Sequence, residues 1–122
     1  MASMRLLVTD TGKAITFYVD HLGFELVEQW GPAFAIIQRD GLEIWVSGPQ
    51  TSAALPLADG SQPAPGGWNR PVIAVNDLAA TLDALEAAGV EVRNRPISGP
   101  GGQQALVSDG VGNVVEIFES RG

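Results

Sequence analysis

The chain has 122 residues, no cysteine and a formal net charge of −7 at pH 7. This length suits one domain with a sizeable core, and the lack of cysteine excludes disulfides, thiolate zinc sites and cysteine nucleophiles. The acidity argues against nucleic acid as a partner, and no apolar run is long enough for a signal peptide or a membrane span, so we expect a cytoplasmic protein.

The first 47 residues predict a strand, a helix and three further strands. Asp10 is suited to cap the helix and Gly23 to end it. Asp40-Gly41 is typical of a tight hairpin turn. The predicted elements are a strand over 4–8, a helix over 11–22, strands over 24–30 and 33–39, and a strand over 42–47 that contains Glu43.

Residues 48–68 interrupt this pattern with a run rich in Pro, Gly, Ser and Ala. Such composition is typical of a loop, and we interpret this stretch as a linker. Structureless loops of this length are often functional or mobile.

The second part of the chain repeats the first. Four landmarks recur in the same order at nearly constant spacing, which predicts an internal duplication. The matched pairs are Val8 with Val75, Asp10 with Asp77, Gly23 with Gly89, and Glu43 with Glu116. The elements predicted for the repeat are a strand over 71–75, a helix between Asp77 and Gly89, strands over 90–95 and 103–107, and a strand over 114–118.

The last strand of each half carries a carboxylate among apolar side chains. Alternation places Glu116 and Phe118 on the face opposite Val115 and Ile117, and it places Glu43 beside Trp45. A carboxylate there has to be paired, hydrogen-bonded, metal-bound or open to a cavity. One helix covers one face of each sheet, so we predict an α+β fold: two tandem βαβββ modules whose curved, open-barrel sheets enclose a cleft.

Four segments carry a resemblance to a known family. They are VTDTGKAITFYVDHLGF (8–24), GLEIW (41–45), VNDLAATLDALEAAGV (75–90) and DGVGNVVEIFE (109–119). Together they resemble the vicinal oxygen chelate superfamily, the glyoxalase, bleomycin resistance and extradiol dioxygenase group. The last segment is similar to the D-P-x-G-N-x-x-E ending of that family, with Gly110 in place of proline. The resemblance implies a single domain over 1–122, with module one at 1–47, a linker at 48–68 and module two at 69–122.

Enzymes of this superfamily usually bind a divalent metal through a histidine on the first strand and a glutamate on the last strand of each module. Counting back from the matched valines, the resemblance puts Ser3 and Arg70 at the two histidine positions. An arginine cannot ligate a cation, so we expect neither a metal nor another cofactor. Arg70 is expected to pair with Glu43 or Glu116, or these three side chains merely satisfy one another. The single histidine, His21, is expected to be structural or on the surface.

An aromatic, acidic and metal-free cleft suits a large flat ligand that carries an amine. This combination is similar to the antibiotic-sequestering branch of the superfamily, which implies a homodimer that binds an antitumour antibiotic of bleomycin, quinone or enediyne type and confers self-resistance. No catalytic residue is predicted. Two alternatives remain: a metal-dependent glyoxalase-like or dioxygenase-like enzyme, and a structural or regulatory domain whose tryptophans fill a core or a dimer interface. The predicted ligand-binding residues are Trp30, Phe34, Glu43, Trp45, Trp68, Arg70, Glu116 and Phe118.

Overall fold

The computed structural model describes residues 2–121. The chain divides into two compact units, which comprise residues 2–66 and 67–121. Each unit contains one four-stranded mixed sheet that stays open, and together they form an α+β architecture as predicted. None of the helices in the described part of the chain is long and apolar enough to cross a membrane.

In the first unit the strand order is β1-β4-β3-β2, with β1 parallel to β4 and the other pairs antiparallel. The β3–β4 turn has Asp40 at φ 49° and Gly41 at φ 85°, the left-handed pair that a two-residue hairpin requires. The elements are β1 (Ser3–Leu7), α1 (Thr11–Ile15) continued by a π-helical turn (Thr16–His21), β2 (Glu25–Trp30), β3 (Phe34–Arg39), β4 (Leu42–Ser47) and a 3₁₀ turn (Ser52–Ala54).

The helical segment of the first unit packs its apolar side against the sheet. Asp10 caps it by accepting a hydrogen bond from the Lys13 amide at 2.9 Å. The π-helical turn accommodates one extra residue, which accounts for the 13-residue spacing from Asp10 to Gly23 against 12 residues from Asp77 to Gly89. The buried core comprises Ala14, Phe17, Tyr18 and Leu22 from this segment, and Ala35, Ile37, Ile44 and Val46 from the sheet.

In the second unit the strand order is β5-β8-β7-β6, with the same pattern of one parallel and two antiparallel pairs. Asp77 caps its helix by accepting from the Ala80 amide at 3.0 Å. Leu78, Leu82 and Leu85 are the buried face of that helix. The elements are β5 (Val72–Ala74), α2 (Leu78–Ala87), β6 (Ile97–Gly99), β7 (Gly102–Ser108) and β8 (Val114–Ser120).

The strand predicted over 90–95 is wrong, because the edge strand of this sheet is Ile97–Gly99. Residues 91–93 do approach β7, with an isolated bridge between Val92 and Val107. The ladder then stops because the Asn94 side-chain oxygen accepts from the Leu106 amide at 2.8 Å, in place of a backbone carbonyl. Pro96 follows and has no amide hydrogen to donate.

The turn before β8 is fixed by a buried carboxylate. The Asp109 Oδ1 accepts from the amides of Val111 and Asn113, both at 2.9 Å. Gly110 and Gly112 take φ values of 78° and 108°, which other residues rarely adopt. This turn directs Val115 and Ile117 into the core and leaves Glu116 on the other face of β8.

Residues 48–66 are not a bare linker, and we call them the strap. They belong to the first unit, where the Gly48 amide donates to the Ala33 carbonyl at 2.9 Å. Further along, the Gln62 side chain donates to the Ala54 carbonyl at 2.7 Å and ties the two arms of the strap together. The predicted linker therefore contains a folded element, and Trp68 lies in the second unit.

Candidate functional site

The first unit presents an aromatic face on the side of its sheet away from the helix. Register places Trp30 beside Phe34 and Phe34 beside Ser47, with Trp45 two residues before Ser47 on the same face. The Trp30 and Phe34 rings are stacked, with centroids 5.2 Å apart, and Phe34 meets Trp45 edge-on at 6.3 Å. We define the aromatic face as Trp30, Phe34, Trp45 and Ser47 with their neighbours Ser3, Arg5, Ile36 and Glu43.

A carboxylate borders the aromatic rings. The Glu43 Oε1 accepts from the Ser3 hydroxyl at 2.6 Å and from the Trp45 indole Nε1 at 2.8 Å. The hydrogen bond from Ser3, and then that from Trp45, lower the pKa of Glu43 below its ordinary value of 4.5. Glu43 is therefore anionic at neutral pH and holds the Trp45 ring in place.

The polar end of this face carries a second carboxylate. The Gln38 amide donates to Glu25 Oε1 at 3.1 Å, and Gln38 lies directly across from Glu43 in the β3–β4 ladder. Two carboxylates thus flank one amide along a row that crosses three strands. This end of the face favours a cationic group.

Arg5 covers part of the aromatic face. Its guanidinium carbon lies 5.1 Å from the Trp45 ring centroid, and its Nη1 donates to the Ser47 hydroxyl at 3.0 Å. A cation therefore already occupies one side of the Trp45 indole. Among the three rings of the aromatic face, Trp30 has the most open surface and is 56% exposed. An incoming planar group would extend the Trp30–Phe34 stack.

The second unit presents a face with a different character. The Arg70 Nε and Nη2 donate to Glu116 Oε1 at 3.0 Å and 2.8 Å, and its Nη1 donates to the Trp68 carbonyl at 3.0 Å. The Arg70 and Glu116 side chains are only 25% and 10% exposed. Arg70 was expected to pair with Glu43 or Glu116, and the structure shows the pair with Glu116.

The remaining predicted residues of this unit are more open. Trp68 is 68% exposed. Phe118 is half-buried and lies on the face of Glu116, across from Gln104. Val72 lies opposite Glu116 in the ladder and is 52% exposed. The structure thus brings the predicted residues into two groups: Trp30, Phe34, Glu43 and Trp45 in one unit, and Trp68, Arg70, Glu116 and Phe118 in the other.

The predicted equivalence of Glu43 and Glu116 is wrong by two residues. The Val8 amide donates to the Ser47 carbonyl, whereas the amide of its match Val75 donates to the Phe118 carbonyl. Ser47 therefore corresponds to Phe118. Trp45, two residues earlier, takes the place in the first sheet that Glu116 takes in the second.

The donor set does not fit a divalent metal. At the positions suggested by the resemblance, Ser3 is a neutral hydroxyl bonded to Glu43, and Arg70 is a cation bonded to Glu116. By register the position equivalent to Glu116 is a tryptophan, which has no ligating atom. Within residues 2–121, no three His, Asp or Glu side chains are grouped so as to hold an ion.

Sequence reasoning missed two residues of the aromatic face, Arg5 and Ile36, which lie on either side of Trp45 in the sheet. Both alternate with core residues and could have been assigned to the face from strand periodicity alone. His21 was expected to be structural or on the surface; it is half-buried, and its ring meets Phe17 edge-on at 5.9 Å.

Comparisons with known proteins agree with this architecture. The model of the Glyoxalase/Bleomycin resistance protein/Dioxygenase superfamily matches residues 1–117. No curated protein matches the chain.

Several solved structures superpose over nearly the whole chain. A member of the same superfamily from Sphaerobacter thermophilus is 28% identical with a TM-score of 0.75, covering 98% of this chain and 96% of its own. TnmS3, an antibiotic binding protein from Streptomyces sp. CB03234, is 24% identical with a TM-score of 0.72, covering 97% and 93%. Lactoylglutathione lyase from Agrobacterium tumefaciens is 22% identical with a TM-score of 0.73, covering 98% and 92%.

At identities of 22–28% these similarities establish the fold and leave the chemistry open. The family match, by contrast, runs from the start of the chain into β8 and includes both Glu43 and Glu116. This chain belongs to the Glyoxalase/Bleomycin resistance protein/Dioxygenase superfamily.

Proposed function

We propose that this protein binds and sequesters a planar aromatic small molecule that carries an amine, without a metal and without chemical turnover. The observation that carries the proposal is the aromatic face: three rings in contact beside a carboxylate that is anionic at neutral pH. Rings of this kind bind flat ligands by stacking, and the carboxylate end attracts a cation.

The ligand class we propose is an antibiotic-like natural product of bleomycin, quinone or enediyne type. TnmS3 is an antibiotic binding protein with the same fold, which supports a binding role for this chain as well. The pairing of Arg70 with Glu116 speaks against the metal that an enzyme of this superfamily needs, because the cation already neutralises the carboxylate.

We also propose that the second face contributes to ligand contact through Trp68 and Phe118. Arg70 and Glu116 neutralise each other there, so we assign this face apolar contact and assign charge recognition to Glu43. Separate substitution of Trp45 and Trp68 tests the two contributions independently.

A homodimer is the assembly we propose. Its support is the β2 edge of the first sheet, where Leu26 and Val27 are 40% and 46% exposed. Apolar side chains along an unpaired edge strand favour burial against another chain. Sedimentation at micromolar concentration should give twice the 12.8 kDa chain mass, and a monomer at all concentrations would contradict the assembly.

Three anthracene derivatives that differ in one group test the proposed function. 9-(Aminomethyl)anthracene is a cation, 9-anthracenemethanol is neutral and 9-anthracenecarboxylate is an anion, all with the same ring system. We expect the cation to bind most tightly and the anion most weakly, by about tenfold at each step. Isothermal titration calorimetry gives each dissociation constant.

A substitution of Glu43 tests the charge effect, and substitutions of Trp45 and Trp68, with a matched control, test the ring effect. Glu43→Gln should remove the preference for the cation and leave affinity for the alcohol unchanged. Leu57→Ala is the matched control for the ring substitutions, because Leu57 is an apolar strap residue that is 58% exposed and does not belong to the aromatic face. Equal affinities for all three anthracenes, or no binding of any, would overturn the proposed function.

A further inference from the structure

The strap encloses a pocket at one end of the first sheet. The pocket has a volume of about 230 Å³ and lies between the ends of β1 and β4 and the second arm of the strap. Most of its lining is apolar. The residues that define it are Leu7, Ser47, Ala54, Pro63, Ala64 and Pro65.

Two of the polar side chains that line this pocket, Ser47 and Gln62, are used within the chain. The Ser47 hydroxyl accepts from Arg5 and donates to the Trp45 carbonyl at 3.2 Å. The Gln62 amide donates to the Ala54 carbonyl at 2.7 Å. The pocket therefore offers a guest mainly carbon surface, so binding there depends on apolar burial.

The pocket lies on the same row of the sheet as part of the aromatic face. Leu7 lies beside Ser47 in the β1–β4 ladder, and Ser47 lies beside Phe34 in the β3–β4 ladder. Phe34 in turn stacks on Trp30. A ligand on the aromatic rings therefore has the pocket at the end of the same row, beyond Ser47.

The volume sets the size of the guest. An apolar cavity of about 150 Å³ in another protein binds benzene. A pocket of about 230 Å³ therefore has room for one six-membered ring with a small substituent, and it is too small for a fused tricyclic system.

We propose that the strap pocket binds a compact apolar group, about one substituted ring in size. Its role as a subsite for a side group of the ligand rests on the proposed function. The strap then determines specificity: the aromatic face selects a planar system with an amine, and the pocket selects derivatives that carry an apolar substituent. The pocket can be tested by itself, whether or not the aromatic face binds its ligand.

Toluene tests the pocket alone. In ¹H–¹⁵N spectra of the full chain we expect saturable shifts of the amides of Leu7, Gly48, Ala54 and Ala64, with a dissociation constant of about millimolar. Ala64→Phe should abolish these shifts, because the new ring fills the pocket from an exposed position. Ala53→Phe is the control on the same strap, since Ala53 does not line the pocket, and it should leave the shifts intact. Shifts that persist in Ala64→Phe, or no saturable shifts at these amides, would contradict the proposal that the strap pocket binds a compact apolar group.

A pair of amines tests the subsite. 9-(Aminomethyl)anthracene is compared with its 10-(3-phenylpropyl) derivative, which adds one ring on a short flexible chain at the side of the anthracene away from the amine. We expect the added ring to improve affinity about tenfold in the wild type and in Ala53→Phe, and to give no gain in Ala64→Phe. An equal gain in all three proteins would contradict the subsite while leaving the aromatic face standing. Failure of both amines to bind, with toluene still bound, would refute the proposed function and the subsite while the pocket stands.

Discussion

Replacing Arg70 by methionine should destabilise the second unit because it leaves the buried Glu116 carboxylate unpaired. Two hydrogen bonds to Glu116 Oε1 are lost, at 3.0 Å and 2.8 Å, and the Glu116 side chain is only 10% exposed. Removing one partner of a fully buried pair costs about 3–5 kcal/mol, whereas exposed pairs contribute about 0–1 kcal/mol. Since the Arg70 side chain is 25% exposed, we expect a cost of about 2–3 kcal/mol in the free energy of unfolding.

The assay is a thermal melt alongside urea denaturation. For a chain of 122 residues, each kcal/mol lowers the melting temperature by about 4 °C, so Arg70→Met should melt about 10 °C lower. The double variant Arg70→Met with Glu116→Leu should recover most of this loss, because no unpaired charge remains. Arg39→Met is the control: its partner Asp40 is 86% exposed at 3.6 Å, and the melt should hardly move. A wild-type melt for Arg70→Met combined with lost ligand affinity would refute the reasoning and make Arg70 a ligand contact.

Three further predictions concern the aromatic face and the second sheet. Trp30→Ala should weaken binding of 9-(aminomethyl)anthracene by about 10- to 100-fold in calorimetry, while a melting temperature that falls far more than affinity would make the ring a core residue. Binding of this cation should persist until the pH falls through the lowered pKa of Glu43, where the stabilisation that the ionised carboxylate gives the fold is also lost. Ser3→Ala removes a hydrogen bond that lowers this pKa, so the loss of binding should move to higher pH. An unchanged pH profile would contradict the role of Ser3. Gly102→Ala should lower the melting temperature by more than 10 °C, since a Cβ there meets the Glu119 carbonyl at φ 152°; a wild-type melt would contradict the clash.

Strand periodicity and helix caps predicted most of the fold correctly. Alternation placed Ile44 and Val46 in the core and Glu43 and Trp45 on the other face, because only one face of each sheet is covered by a helix. The caps Asp10 and Asp77 could be predicted because each side chain accepts a hydrogen bond from the amide only three residues later in the chain.

What the sequence could not predict depends on contacts between distant residues. Val90 to Arg95 alternates like a strand, yet the Asn94 side chain captures the Leu106 amide and ends the ladder. The match of Glu43 with Glu116 relied on residue type, whereas the ladder that pairs β1 with β4 decides equivalence and selects Trp45. The strap was interpreted as a linker because its proline and glycine content is typical of a loop. Composition does not predict the hydrogen bond from the Gln62 side chain to the Ala54 carbonyl, which joins residues eight positions apart.

The central claim is that a planar amine lies on the aromatic face, and the three indole Nε1–H resonances test it most directly. Trp30, Trp45 and Trp68 each give one resolved signal in a ¹H–¹⁵N spectrum, which can be assigned by substituting each in turn. On titration with 9-(aminomethyl)anthracene, we expect saturable ring-current shifts at Trp30 and Trp45 with one shared dissociation constant. In Trp30→Ala, we expect the Trp45 shift to be lost at the same ligand concentration. Shifts confined to amides of the groove between α2 and residues 92–96, with both indoles unmoved, would contradict it.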